Sequence, residues 1–115
     1  MSSVLTGIYE EDVDKEKDGV NMSLAILVGA LREPEETARD VKKQTPAVKR
    51  MAYIGGNVRG NAEIYFEMEN DIEAQRLAML FQMIPAPVAG KILYITFEEL
   101  INSSNFKMMG GKIVD

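Results

Sequence analysis

Hydrophobic and polar positions fall into short blocks of different period along the chain. Residues 22–31, Met-Ser-Leu-Ala-Ile-Leu-Val-Gly-Ala-Leu, are apolar at alternate positions on both sides. That pattern suits a central strand buried on two faces, and the Asp18-Gly19 turn signal just before it favours a strand over a buried helix. Residues 62–69 alternate instead. Ala62, Ile64, Phe66 and Met68 take one face and Glu63, Tyr65, Glu67 and Glu69 the other, which predicts a half-exposed strand. Residues 91–96, Lys-Ile-Leu-Tyr-Ile-Thr, are rich in β-formers on both faces and predict a second central strand. A short strand over 3–9 precedes an acidic connector over 10–18.

Between these blocks the period lengthens to that of helices. Glu33-Pro34-Glu35-Glu36 opens one, because proline suits the first helical position and acids suit its positive end. Ala38 and Val41 share a face of it, and Thr45-Pro46 interrupts it. Thr45 can cap a second helical piece that carries Val48, Met51 and Ala52 on one face and ends at Gly55-Gly56. The competing reading makes 51–54 a strand and 55–61 a hairpin loop. Asn70-Asp71 caps a further helix with the stripe Leu77, Leu80, Phe81 and Ile84, stopped by Pro85-Ala86-Pro87. Thr96-Phe97-Glu98-Glu99 fits a capping box before a short helix over 97–103, and Gly110-Gly111 joins two short terminal pieces.

Strands alternating with helices predict an α/β (α+β) fold, a two-layer sandwich. Its sheet is expected to be mixed, with about four to six strands and two or three helices mainly on one face. The 115 residues suit one domain, with 1–21 as N-terminal strand and acidic connector and 22–115 as the α/β core. No apolar run approaches the roughly 20 residues of a membrane span. The N-terminus shows no leader pattern, and a cytoplasmic location is expected.

Composition narrows the chemistry. There is no Cys and no His, which removes disulfides, thiolate sites, the commonest general base and the commonest zinc ligand. Net charge is −5, unevenly placed. Residues 1–40 carry ten acids and four bases, residues 41–62 five bases and no acid, and residues 63–115 eight acids and four bases. The basic stretch holds Lys42, Lys43, Lys49, Arg50 and Arg59, and with Gly55, Gly56 and Gly60 it forms the best candidate anion site. The order of elements counts against a phosphate loop, whose glycines lie between a strand and the helix that follows it. The tract 14–19 resembles the first half of a calcium loop, but Ala25 stands where a bidentate glutamate is needed. The three strand-to-helix junctions, 29–36, 69–73 and 96–99, are acidic, which disfavours an anion bound there and leaves room for a carboxylate-held magnesium.

Tyr53 to Phe81, a Gly-rich hairpin followed by a helix, resembles the hairpin-plus-helix unit of the CheC/CheX-type chemotaxis phosphatases. Glu99-Leu-Ile-Asn102 is similar to part of their Glu-x-x-Asn motif, which positions water against an aspartyl phosphate. The motif's Asp or Ser falls on Ile95 here, and the resemblance covers about a quarter of the chain. It implies a phosphate-ester hydrolase using Glu99 and Asn102.

The reading the sequence favours is a small non-catalytic interaction or regulatory module without cofactor or resident metal. It would be homo-oligomeric through complementary acidic and basic surfaces, with Met79, Met83, Met108 and Met109 suited to adaptable contacts. The partner would be a second copy or another protein, not a membrane. The alternative is an anion-binding module for a nucleotide, a phosphate or a nucleic-acid backbone, through residues 42–59.

Overall fold

The computed structural model describes residues 23–55, 61–84 and 88–115. The N-terminal strand, the acidic connector, the Asp18-Gly19 turn and the calcium-loop-like tract lie outside these, as do Gly56, Arg59 and Gly60. The described chain runs β1 (Ser23–Ala30), α1 (Pro34–Gln44), β2 (Val48–Ile54), β3 (Asn61–Met68), α2 (Asp71–Gln82), β4 (Val88–Tyr94), α3 (Phe97–Asn102), α4 (Ser104–Met108) and β5 (Lys112–Val114).

The five strands form one sheet in the order β4-β1-β3-β2-β5. Helix α1 carries the chain from β1 past β3 to β2, and α2 carries it from β3 past β1 to β4. Each crossover therefore skips a strand, and the strand filling the gap runs the opposite way. That is why the expected mixed pairing is realised as antiparallel in every described pair. The first six described elements have the connectivity of the ferredoxin-like split β-α-β unit, to which β5 adds a strand beside β2.

The two long helices lie on one face of the sheet. Ala38 of α1 and Ala74, Leu77, Ala78 and Phe81 of α2 pack with Ala25, Leu27, Ile64, Phe66 and Met68. The rings of Phe66 and Phe81 meet at 5.4 Å between centroids. Contact is close because β4 presents Gly90 to α2: a Cβ there would lie 2.1 Å from the carbonyl oxygen of Ala78. The other face is also covered. Phe97 and Leu100 of α3 and Phe106 of α4 pack on Leu24, Ile26, Ala52, Ile54 and Tyr65. Strand β3 is thus buried on both sides rather than half-exposed, and Glu67 is inside.

The short helices are held by local hydrogen bonds. Glu99 N–H donates to Thr96 Oγ1 at 3.0 Å, and Thr96 N–H donates to Glu99 Oε1 at 2.9 Å, which completes the expected capping box. Ser103 caps α4 by accepting from Phe106 N–H at 3.1 Å. Gly110, at φ +75°, turns the chain back into β5.

Residues 48–54 form a strand, not the expected second helical piece. Pro46 breaks the helix, and the next residues pair with β3 through a bulge. Val48 lies opposite Met68 and Arg50 opposite Glu67, so Lys49 is the extra residue. The bulge puts Val48 and Met51, three apart, on the same face and so imitates helical spacing. Two further expectations change. Strand β4 pairs only with β1 among the described residues and is an edge strand of the described sheet; α2 and the second cluster cover its two faces, which accounts for its apolar pattern. The buried stripe of α2 is Ala74, Leu77, Ala78 and Phe81, while Leu80 and Ile84 are exposed.

Candidate functional site

The alternation of strand directions sorts the charged residues between the two ends of the sheet. One end carries the C-terminus of α1, the start of β2, the end of β3 and the β4–α3 junction. Lys42, Lys43, Lys49 and Arg50 are there, and so are the acidic junctions 69–73 and 96–99. The junction 29–36 and Gly55 lie at the other end. Strand β2 separates Gly55 from Lys49 by about 20 Å at the usual rise per residue. Gly55 therefore stands at the other end of the sheet from the described cations of the candidate anion set. The set's four described cations gather at one end, and Gly56, Arg59 and Gly60 lie outside the described residues.

Among those cations Arg50 is the most engaged. Its Nε donates to Glu67 Oε1 at 2.6 Å and its Nη2 to Glu67 Oε2 at 2.8 Å. Nη2 also lies 2.9 Å from Glu98 Oε2. The guanidinium sits 4.5 Å from the centroid of the Phe97 ring. Two carboxylates thus hold Arg50 above its ordinary pKa, the Glu67 hydrogen bond being the larger cause. The same contact with Arg50 holds the exposed Glu98 below the usual carboxylate range. Glu67 is 2% exposed, so burial removes its water and Arg50 replaces it. The triad ties α3 to the sheet and leaves the Arg50 charge already matched. Lys42 Nζ donates to the carbonyl of Val48 at 3.1 Å, while Lys43 and Lys49 are exposed.

The acidic junctions are used locally. Glu99 closes the capping box of α3. Asn70 caps α2, accepting from Glu73 N–H at 2.9 Å. Asp71 accepts from the buried Ser23 hydroxyl at 2.6 Å. Among the described residues no group of three or more Asp or Glu is arranged to hold a metal ion. On the face under α4, the Tyr65 hydroxyl donates to Glu63, and burial first, then that bond, pushes its ionisation above the ordinary tyrosine value.

The second feature is apolar, and sequence reasoning reached it only in part. Helix α2 is packed on its inner side, yet Ile72, Met79, Leu80, Met83 and Ile84 are between 44% and 76% exposed. Ile72, Met79 and Met83 run along the outermost line of the helix, with Leu80 and Ile84 beside it. The sequence pattern suits Met79 and Met83 to adaptable contacts but predicts Leu80 and Ile84 on the inner stripe. The signal available was that α2 carries more large apolar residues than one buried stripe can hold. Met108, Met109 and Ile113 are exposed near the C-terminus.

Strands β2 and β3 pair antiparallel, and α2 follows β3. Comparison with protein-family models, with curated proteins and with solved structures finds no match to the chain. No described helix is long and apolar enough to cross a membrane.

Proposed function

We propose that the chain is a small non-catalytic interaction module whose contact surface is the outer face of α2. The observation that carries this is that five large apolar side chains, three on a helix already packed on its other side and two in the turn that ends it, are left in solvent. Apolar patches of several hundred Å² on a monomer usually mark a binding surface. Two of the five are methionines, whose flexible thioethers adapt to a partner. The sequence supports the reading too, because without His or Cys any catalysis would rest on Asp, Glu, Lys, Arg or Tyr alone. Charge pairing is a weaker basis for the contact. Arg50 is already matched, and the acidic stretch 10–18 lies outside the described residues.

Oxidative footprinting tests the reading without knowledge of the partner. Met79 and Met83 should be shielded inside cells that produce the protein and readily oxidised in the dilute purified chain. Met108, exposed but outside α2, serves as the internal reference. Equal labelling of the α2 methionines in both states overturns the proposal. So does multiple turnover of an acyl phosphate or phosphodiester by the purified chain.

A further inference from the structure

We infer that the partner of the α2 face is a second copy of the same chain, packed α2 against α2 in antiparallel fashion about a two-fold axis. This deepens the proposed function and rests on it. Ile72, Arg76, Met79 and Met83 follow one another at intervals of four, three and four residues. That is the spacing of a seam between two packed helices, where side chains of one enter gaps of the other. Leu80 flanks the seam on one side.

Area supports a second copy. The five exposed apolar side chains present on the order of 600 Å² per chain, at the upper limit for a monomer and near the ~800 Å² per partner of a standard interface. A self-complementary patch also closes with two copies and needs no third.

Charge selects the direction. Asp71 and Glu73 lie in the first turn of α2, and no base lies in its last turn. Asp71 is turned to Ser23 at the sheet, but parallel packing would set the two Glu73 carboxylates and the two positive helix ends at the same level across the seam. Antiparallel packing sets the two Glu73 about 14 Å apart along the helix axes and opposes the two helix dipoles favourably. Ile72 then faces Met83 of the partner, and Arg76 faces Met79 of the partner. Arg76 is not trapped there: its guanidinium lies 3.2 Å from Glu73 of its own helix, and its stem can lie along the apolar surface with the charge at the rim.

The test uses the full chain, whose lack of cysteine makes any introduced thiol unique. Sedimentation velocity of the wild type should show a dimer that persists, or tightens, as salt is raised. Met79→Lys/Met83→Lys should weaken it at least about 100-fold. Both positions are in solvent, so circular dichroism of that variant should match the wild type. With a short bismaleimide, Arg76→Cys should cross-link to itself and Ile72→Cys should not. A mixture of Ile72→Cys and Met83→Cys should give the heterodimer. A wild type that stays monomeric overturns the inference. If footprinting still finds α2 shielded in cells, the face belongs to a different protein and the interaction reading stands. A dimer that dissolves in salt and survives Met79→Lys/Met83→Lys likewise overturns the seam alone. Self-cross-linking of Ile72→Cys as readily as Arg76→Cys overturns the antiparallel arrangement.

Discussion

Arg50 grips Glu67 through two nearly parallel contacts, 2.6 and 2.8 Å long, from a neighbouring strand. The bulge at Lys49 creates this pairing, because it brings Arg50 opposite Glu67 on the face that carries α3. The carboxylate is buried and the guanidinium is half in water. Removing the arginine should therefore cost more than removing an exposed ion pair. Arg50→Ala strands a buried charge and should destabilise the chain by about 3 kcal/mol, read from the urea midpoint. Arg50→Lys keeps the charge but loses the fork and the stacking on Phe97, so it should recover only part of that loss.

Glu98 shares the same guanidinium from the solvent side. Its carboxyl is held below the ordinary range chiefly by that hydrogen bond. A depressed carboxylate stabilises the fold above its unfolded pKa, and the contribution disappears as pH falls through the folded value. Carboxyl titration by NMR should place Glu98 lower than an ordinary exposed glutamate, and Arg50→Ala should return it to the usual range. A Glu98 midpoint unmoved by Arg50→Ala would remove the contact.

Tyr65 is the opposite case. Burial and its bond to Glu63 raise its ionisation, so it stabilises the fold below the unfolded value of 10.0, and the contribution is lost as pH rises toward the folded one. Ultraviolet difference titration should show one phenol ionising only as the chain unfolds in alkali. Tyr65→Phe should remove that late-ionising phenol.

Much of the fold was legible from local rules. The two-faced apolar run of 22–31 could only be a buried element, and the proline and acids at 33–36 gave the start of α1. The capping box at 96–99 is present atom for atom. What stayed hidden depended on long-range packing. The β2 bulge turned a period of two into a helix-like interval of three. The inner face of α2 uses Ala74 and Ala78, which look like spacers in sequence but are buried contact residues, Ala78 directly over Gly90. The cover of α3 and α4 over β3 could not be foreseen from the alternation of β3 itself. The basic stretch reads as one cluster in sequence, but β2 carries Gly55 to the opposite end of the sheet from Lys42, Lys43, Lys49 and Arg50.

The contact between Gly90 and α2 leaves no room for a methyl group. A Cβ would fall 2.1 Å from the Ala78 carbonyl oxygen and 2.8 Å from Phe81 Cβ, and neither can move without moving the helix backbone. Gly90→Ala should cost about 3 kcal/mol or more, measured as a shift in thermal midpoint. Gly55→Ala serves as the control: its nearest neighbour is a Tyr53 ring carbon at 3.9 Å, and only a small change is expected.

Glu99 separates the structural reading from the hydrolase reading. Its carboxylate accepts the N–H of Thr96, and Thr96 in turn accepts the N–H of Glu99. A residue occupied in this way acts on helix stability, and the side chain of Gln can accept the same bond. Glu99→Gln should therefore change stability by less than about 0.5 kcal/mol, whereas Glu99→Ala and Thr96→Ala should each cost about 1 kcal/mol. The same three variants and the wild type, assayed against acyl phosphates, decide the matter. A role in hydrolysis requires turnover by the wild type that Glu99→Gln abolishes although its fold is intact. The capping role requires the stability order Gln above Ala with no turnover to lose. Detection of the first pattern would move Glu99 from the scaffold of α3 into an active site.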